Sequence, residues 1–412
     1  MDSTRFNPGN AEQVLAVLQW AAGEGATLEL VGGGAKRAWG RPVQAEYTLD
    51  LAGLSGINLY EPAELVMTLK PGTPMAEVQA TLAAQRQRLA FDPPDLGPLL
   101  GVDAGGGTIG GAVLTNLAGP GRPRQGAARD HLLGFKGVSG RGEAFKSGGR
   151  VVKNVTGFDL SKLMAGSFGT LAALTELSLR VLPIPEKTRT VLLFGAPAAD
   201  GARAMAAALG SPHDVDAAAF LPAGVAARSA VDYVSGAGES VTALRVEGPG
   251  PSVAARCAAL RGLLASFGAV EELHTARSET LWRELRDVAP FTGGDGEFAD
   301  RRQVWRLSTA PSAGPALGQE LAEDFDGEWY ADWGGGLVWL AIPPRDDAAH
   351  HPVRAALAEA GGGHATLMRA DAPVRAAVPV FQPQAPALAA LGQRVKAGFD
   401  PKGILNPGRM DT

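Results

Sequence analysis

Apolar and polar positions alternate along this chain in blocks that change period often, which predicts many short elements rather than a few long ones. Asn10 and Gln13 have the spacing of a capping box, and Val14, Leu15, Val17 and Leu18 then recur at helical intervals. Gly23 and Gly25 stop that helix, and the apolar run from Thr27 to Val31 predicts a buried strand ending directly in Gly32-Gly33-Gly34-Ala35-Lys36. Tyr47–Leu51 and Leu65–Lys70 predict further strands. Pro71-Gly72 turns the chain into a helix with Thr73 as its N-cap and Pro74 at its first position.

Proline and glycine crowd Asp92 to Gly111, which predicts loop. Two extended runs within Lys136–Val152 flank glycines and predict a hairpin, followed by a short helix over Asp159–Met164. A strand comes next with Leu177, Leu179 and Val181 on one face and Ser178 and Arg180 on the other. Pro183 and Pro185 close the segment, so a domain boundary is expected near residue 185. Residues 186–385 alternate strands with alanine-rich helices and show no repeat of fixed period; 386–412 form a turn-rich tail.

The 412 residues suffice for two domains, and 45% hydrophobic with 20% charged residues is ordinary globular composition. A formal charge of −5 offers no basic field for nucleic acid or an anionic membrane. There is no long apolar run and no signal-like N-terminus, so a cytoplasmic chain is expected, reaching a membrane only through partners. Cys257 is the sole cysteine, which excludes an internal disulfide and leaves no thiolate set for an iron–sulfur cluster. Any redox cofactor held here is therefore organic.

Two glycine-dense segments carry the candidate chemistry. Gly32, Gly33 and Gly34 follow a strand, so bare backbone N–H groups can converge on an anion, with Lys36 adding a cation; a plain tight turn has the same sequence. The second segment runs from Gly105 to Asn116 and contains a formal G-x-G-x-x-G at Gly105, Gly107 and Gly110. A dinucleotide fold requires a strand just before that motif. The preceding Pro-Pro-Asp-Leu-Gly-Pro stretch cannot supply one, and a second loop over a pyrophosphate explains the glycines better.

The run from Gly106 to Leu182, with the blocks FKSGGRVVKNVTG and DLSKLMAGSFGTL, closely resembles the GlcE-type FAD-binding subunits of glycolate oxidase. The tail FDPKGILNPGRM is similar to that of the wider vanillyl-alcohol-oxidase (PCMH) flavoprotein superfamily. Likeness is dense over the first 185 residues and the last 15, and thinner between, where 281–287 and 363–367 still match. The resemblance implies an α+β fold: a two-part PCMH-type FAD domain over 1–185, a smaller ferredoxin-like cap over 186–385, and a tail, 386–412, returning to the flavin domain. It implies that Gly32, Gly33, Gly34, Ala35 and Lys36 form the pyrophosphate loop, and that Thr108, Gly110, Gly111 and Asn116 pass the ribityl and pyrophosphate. It places Gly166, Gly169, Thr170 and Ala173 by the adenine or flavin edge, and Asn406 and Pro407 on the isoalloxazine side.

Several superfamily members tether FAD to a histidine in or near the first loop. That loop here has neither His nor Cys, and His131 is the only histidine of the expected flavin domain, so noncovalent FAD is expected. The resemblance further implies a larger FAD-containing subunit and an iron–sulfur subunit as partners. The complex would oxidise glycolate, or D-lactate, to the 2-oxo acid by hydride transfer to the flavin. Metal-dependent relatives carry a His-x-His pair in the second domain; none exists here. Either the substrate site is built differently or this subunit binds no substrate, so three roles stay open: a redox-active subunit, a structural or relay flavin module, and a stand-alone oxidase.

Other residues have plainer expectations. Lys146, Arg150 and Lys153 suggest a solvated hairpin face, with a partner contact or a cation near reduced flavin as the sharper reading. His350 and His351 beside Asp346 and Asp347 match no metal spacing and suggest a surface loop, and His364 suggests a packing role.

Overall fold

The structure is a computed structural model that describes residues 4–150, 157–293 and 301–410. The chain forms two compact units: Met1–Ala118, Gly126–Ile184 and Pro383–Thr412 make the first, and Gly119–Gln125 with Pro185–Gln382 the second. The short excursion 119–125 is thus part of the second unit although its neighbours in sequence belong to the first.

In the first unit, strand β1 (Thr4–Phe6), β2 (Leu28–Val31) and β3 (Tyr47–Asp50) form a parallel sheet in the order β1-β3-β2. The helix Ala11–Glu24 precedes β2; Asn10 Oδ1 accepts from Gln13 N at 2.9 Å, and Gly25 ends the helix at φ 73°. Its face of Val14, Leu18 and Ala21 packs with Leu28, Leu49 and Leu51. A second, antiparallel sheet has the order β4-β5-β9-β7-β8, from β4 (Ile57–Glu61), β5 (Val66–Leu69), β7 (Leu132–Ser139), β8 (Ala144–Gly148) and β9 (Ala172–Arg180). A minor pair joins β6 (Gln87–Arg88) to β10 (Leu182–Pro183).

Two local expectations change. Pro74, not Thr73, caps the helix Met75–Ala84. The Thr73 hydroxyl is spent on the Pro71-Gly72 turn, donating to Lys70 O at 2.7 Å and accepting from Gly56 N at 3.0 Å. Strand β9 is buried on both faces rather than one, and Ser178 satisfies its hydroxyl against Thr68 at 2.9 Å. The hairpin forms as β7 and β8, with Lys146 and Arg150 exposed; Lys153 lies outside the described residues.

The second unit is a single eight-stranded sheet. Its first half runs β11 (Lys187–Phe194), helix Ala198–Leu209, β12 (Ala217–Leu221), β13 (Val241–Gly248), helix Gly250–Leu264 and β14 (Val270–Leu273), ordered β14-β11-β13-β12. Its second half repeats that plan with β15 (Gln303–Ser308), helix Gly314–Phe325, β16 (Glu328–Asp332), β17 (Leu337–Ile342), helix His350–Glu359 and β18 (His364–Arg369), ordered β16-β17-β15-β18. Each half is a ferredoxin-like β-α-β-β-α-β motif, and the two join edge to edge where Phe220 pairs with Ala331. One core lies between the sheet and these helices, with Met205, Cys257, Leu321 and Leu357 set against Trp305, Leu307 and Leu340. Burial, and secondarily Glu272, pushes the Cys257 thiol up to about 11, so it is an inert packing group.

His350 and His351 begin a helix rather than a loop, with ring centroids 3.9 Å apart. His364 opens β18 and is exposed. Among the described residues no group of His, Cys, Asp or Glu side chains is arranged to hold a metal, and no helix is long and apolar enough to cross a membrane.

Candidate functional site: a two-loop glycine recess

The first unit contains a recess where the loop after β2 meets the loop before the helix Ile109–Leu114. Gly32, Gly33, Gly34, Ala35 and Lys36 line one side, Gly106, Gly107, Thr108, Gly110 and Gly111 the other, with Phe168, Gly169 and Asn406 completing the wall. The loops touch through bare backbone. A β-carbon on Gly33 would lie 1.9 Å from Gly106 O, one on Gly32 2.7 Å from Thr108 Oγ1, and one on Gly110 2.6 Å from Pro71 Cβ. Gly34 has φ 78°, a conformation glycine adopts without strain. Thr108 caps the short helix, accepting from Gly111 N at 3.3 Å, while Ile109 N and Gly110 N donate to Thr73 O and Pro71 O at 3.1 and 2.8 Å.

Lys36 supplies the charge. Its ammonium lies against Gly107 and Gly111, where β-carbons would stand 3.7 and 3.5 Å from Nζ, and it makes no hydrogen bond or ion pair with any described residue. Burial lowers its affinity for a proton, an effect partly opposed by the negative charge of Asp95. A half-buried ammonium with no hydrogen-bond partner, set against side-chain-free backbone, is an arrangement that an anion would complete. The donors are neutral N–H groups and one cation, with room left by absent β-carbons, so the residues present fit a diphosphate.

The C-terminal tail helps build the same wall. Leu405 forms a parallel bridge with Leu28, and Asn406, at φ 44°, accepts from Leu30 N at 2.8 Å and donates to Phe168 O at 2.7 Å. Arg409 donates to Arg37 O and Trp39 O at 2.8 and 2.9 Å, which fixes the far side of the first loop. Lys396, on the helix Pro386–Phe399, ties Thr170 O and Leu405 O to the Asp400 carboxylate.

Ten of the fifteen residues expected at the cofactor therefore come together: Gly32, Gly33, Gly34, Ala35, Lys36, Thr108, Gly110, Gly111, Gly169 and Asn406. The lining does not include Asn116, Gly166, Thr170, Ala173 or Pro407. Asn116 spends its carbonyl on Arg129 N at 2.9 Å, and Gly166 takes φ 89° in a turn beside it. The Thr170 hydroxyl donates to Ser167 O at 2.7 Å, Ala173 is fully buried in β9, and Pro407 only continues the tail. Sequence reasoning missed Trp39, Phe168 and Arg409; the first two rings pack edge-on at 4.9 Å. His131 is buried with its ring 5.8 Å from Phe91, and no histidine, cysteine or tyrosine lines the recess among the described residues.

Comparison with known proteins agrees with this geometry. Residues 4–148 match the family described as FAD binding domain. The fold is that of p-cresol methylhydroxylase with substrate bound, at TM-score 0.69 and 13% identity over 98% of this chain and 88% of that one. Alkyldihydroxyacetonephosphate synthase also superposes at TM-score 0.69, with 16% identity over 98% of this chain and 76% of that one. Fold and recess together define a PCMH-type flavoprotein that takes FAD.

Across 405 residues the chain is 33% identical to glycolate oxidase subunit GlcE of Escherichia coli (strain K12), covering 97% of both proteins. It is 26% identical over 436 residues to D-2-hydroxyglutarate dehydrogenase of Xanthomonas citri pv. viticola, covering 98% of this chain and 88% of that protein. The chain belongs to the GlcE-type family of FAD-dependent oxidoreductases.

Proposed function

We propose that this chain is the GlcE-type FAD-binding subunit of a glycolate oxidase (glycolate dehydrogenase) complex, acting on glycolate and, as an alternative 2-hydroxy acid, D-lactate. The observation that carries the reading is the Gly32–Lys36 recess in a chain aligned end to end with a glycolate oxidase subunit. Bound there, FAD supplies the acceptor for the hydride removed from the hydroxy acid's α-carbon. The chain's own part is to hold the diphosphate: Gly32 and Gly33 admit it to the backbone, and Lys36 offsets its charge. Trp39 and Phe168 add apolar wall, and the Asn406 and Arg409 bonds hold the first loop and Phe168 in place. The expected attachment is noncovalent, supported by the residue types along the recess.

Cys257 is the only thiol, so electrons leave by a diffusing acceptor or another protein, and a larger FAD subunit with an iron–sulfur subunit fits the second route. A flavin relay without a substrate site of its own is the second reading; the missing His-x-His pair favours it.

The test is the absorption spectrum of the purified chain, alone and coexpressed with the two partner subunits, before and after anaerobic glycolate. Acid-releasable FAD that bleaches with glycolate supports the substrate-oxidising reading. FAD that bleaches only when the partners are present supports the relay. A chain that takes up no FAD in either setting overturns both.

A further inference from the structure

The sheet of the second unit has a second face. On β15, Trp305 and Leu307 enter the helix-covered core, so Arg306 between them projects to the opposite side. Its cross-strand neighbours there are Trp339 on β17 and Thr366 on β18. The Arg306 guanidinium carbon lies 4.9 Å from the centre of the Trp333 ring, and that of Arg122 lies 4.3 Å from the same ring. The indole is fixed in place: Nε1 donates to Gly119 O at 3.0 Å, and the backbone N–H donates to Asp332 Oδ1 at 2.7 Å. Arg122 arrives on the excursion 119–125, which Gln125 holds to Asp216 at 3.0 Å.

Arg306 differs from the other arginines of the unit in its side-chain bonding. Other buried or half-buried arginines of the unit are paired, Arg245 with the Asp216 carboxylate, Arg369 with Arg302 O and Phe291 O, and Arg354 with Pro379 O. The Arg306 side chain makes no hydrogen bond or ion pair with any described residue. The side chain is half-buried, and that burial, followed by the repulsion of Arg122 and opposed by Asp332, pulls its pKa down to about 10. It therefore keeps its charge at neutral pH, and part of the side chain remains open to water. A half-buried guanidinium with no side-chain hydrogen bond and a second one beside it favours a ligand of complementary charge.

We propose that Arg306, with Arg122 beside it on the Trp333 platform, is a carboxylate-binding subsite of the second unit. The planar guanidinium presents paired N–H donors that match a carboxylate's two oxygens, whereas an ammonium would meet it as a point charge. The cation–π contact holds the guanidinium beside the indole. The identity of that ligand as a 2-hydroxy monocarboxylate rests on the function proposed above; its charge does not. The site supplies what the missing His-x-His pair would otherwise provide, a fixed handle on the acid.

The experiment is calorimetric titration of the FAD-loaded full-length chain with glycolate, D-lactate, glyoxylate and acetate, alongside tryptophan fluorescence. Wild type should bind at least one of them with a fluorescence change that Trp333→Phe abolishes. Arg306→Met should weaken binding by about 100-fold, and Arg306→Lys by about 10-fold, with flavin content unchanged. If the Met variant fails to fold, the Lys variant, which keeps the charge and loses the fork, carries the test. Equal binding by wild type and a flavin-replete Arg306 variant, or no binding of any carboxylate by wild type, overturns the subsite. Arg306-dependent binding of a carboxylate by a protein whose flavin glycolate never reduces, with partners or without, keeps the subsite and overturns the glycolate reading instead.

Discussion

Gly33 and Gly106 meet so closely that a β-carbon on the first would lie 1.9 Å from the carbonyl oxygen of the second. The recess exists because neither loop has a side chain at that crossing. Replacing Gly33 by alanine must push the loops apart by more than an ångström, and backbone cannot yield as a flexible side chain would. Gly33→Ala is expected to lose FAD during purification and to destabilise the first unit by about 3 kcal/mol. Gly34→Ala is the control: open space surrounds that position, and only its φ of 78° opposes a β-carbon. It should cost about 1 kcal/mol and keep most of the flavin, read as the ratio of flavin to protein absorbance.

Lys36 makes FAD affinity depend on pH. In the folded apoprotein burial lowers its pKa below 10.5, while the unfolded chain keeps the ordinary value. Between those two values the unfolded state binds more protons, so apoprotein stability rises with pH across that window. Bound diphosphate favours the protonated lysine, so FAD binding takes up a proton there and affinity falls as pH rises. Lys36→Met should weaken FAD by about 10- to 100-fold at neutral pH and flatten both slopes. Fluorescence titration of FAD at several pH values reads the first, and urea midpoints of apoprotein the second. An unchanged pH slope in the variant would assign the effect to another group.

The two glycine loops, the helix Ala11–Glu24 and the strand leading into Gly32 were legible in the sequence because each is set locally, by a cap, a turn or a run of β-branched and apolar residues. The duplicated plan of the second unit was not. Its halves span 187–273 and 303–369, so unequal loops erase any fixed period although the strand order repeats. Five expected cofactor residues, Asn116, Gly166, Thr170, Ala173 and Pro407, are not among the residues that line the recess. Spacing along the chain cannot tell a residue that faces a cavity from the neighbour that supports it. Arg306 left one faint signal, a cation inside the otherwise apolar run Val304-Trp305-Arg306-Leu307. Pairing it with Arg122 required contacts across more than 180 positions.

Asn406 makes two bonds of opposite sense, accepting from Leu30 on the first loop's strand and donating to Phe168 O. Alanine there removes the acceptor of the Leu30 N–H and the amide that donates to Phe168 O, and loses the tolerance asparagine has for φ 44°. Asn406→Ala is expected to cost about 2 to 3 kcal/mol and to speed hydrogen exchange at Leu30. Asn406→Asp keeps the acceptor and sets a carboxylate oxygen against Phe168 O, so it should be no better than alanine at neutral pH. Exchange at Leu30 equal to wild type in both variants would mean the tail is held by Lys396 and Arg409 alone.

In the second unit Arg245 and Asp216 are almost wholly buried, with Nε 2.9 Å from Oδ2. Gln125 donates to the other carboxylate oxygen at 3.0 Å, and Glu247 lies 3.6 Å from Arg245 Nε. Taking both charges out of water offsets most of their mutual attraction, so the intact pair contributes little net stability, while either half alone is a liability. Asp216→Ala should cost about 3 to 5 kcal/mol because it removes the carboxylate that faces a buried guanidinium. Arg245→Met should cost less than Asp216→Ala, since the acid keeps the Gln125 bond. The double variant Arg245→Met with Asp216→Leu should recover most of the loss. Denaturant midpoints of the three variants decide it: additive losses in the double variant would mean the two side chains act through packing and not as a pair.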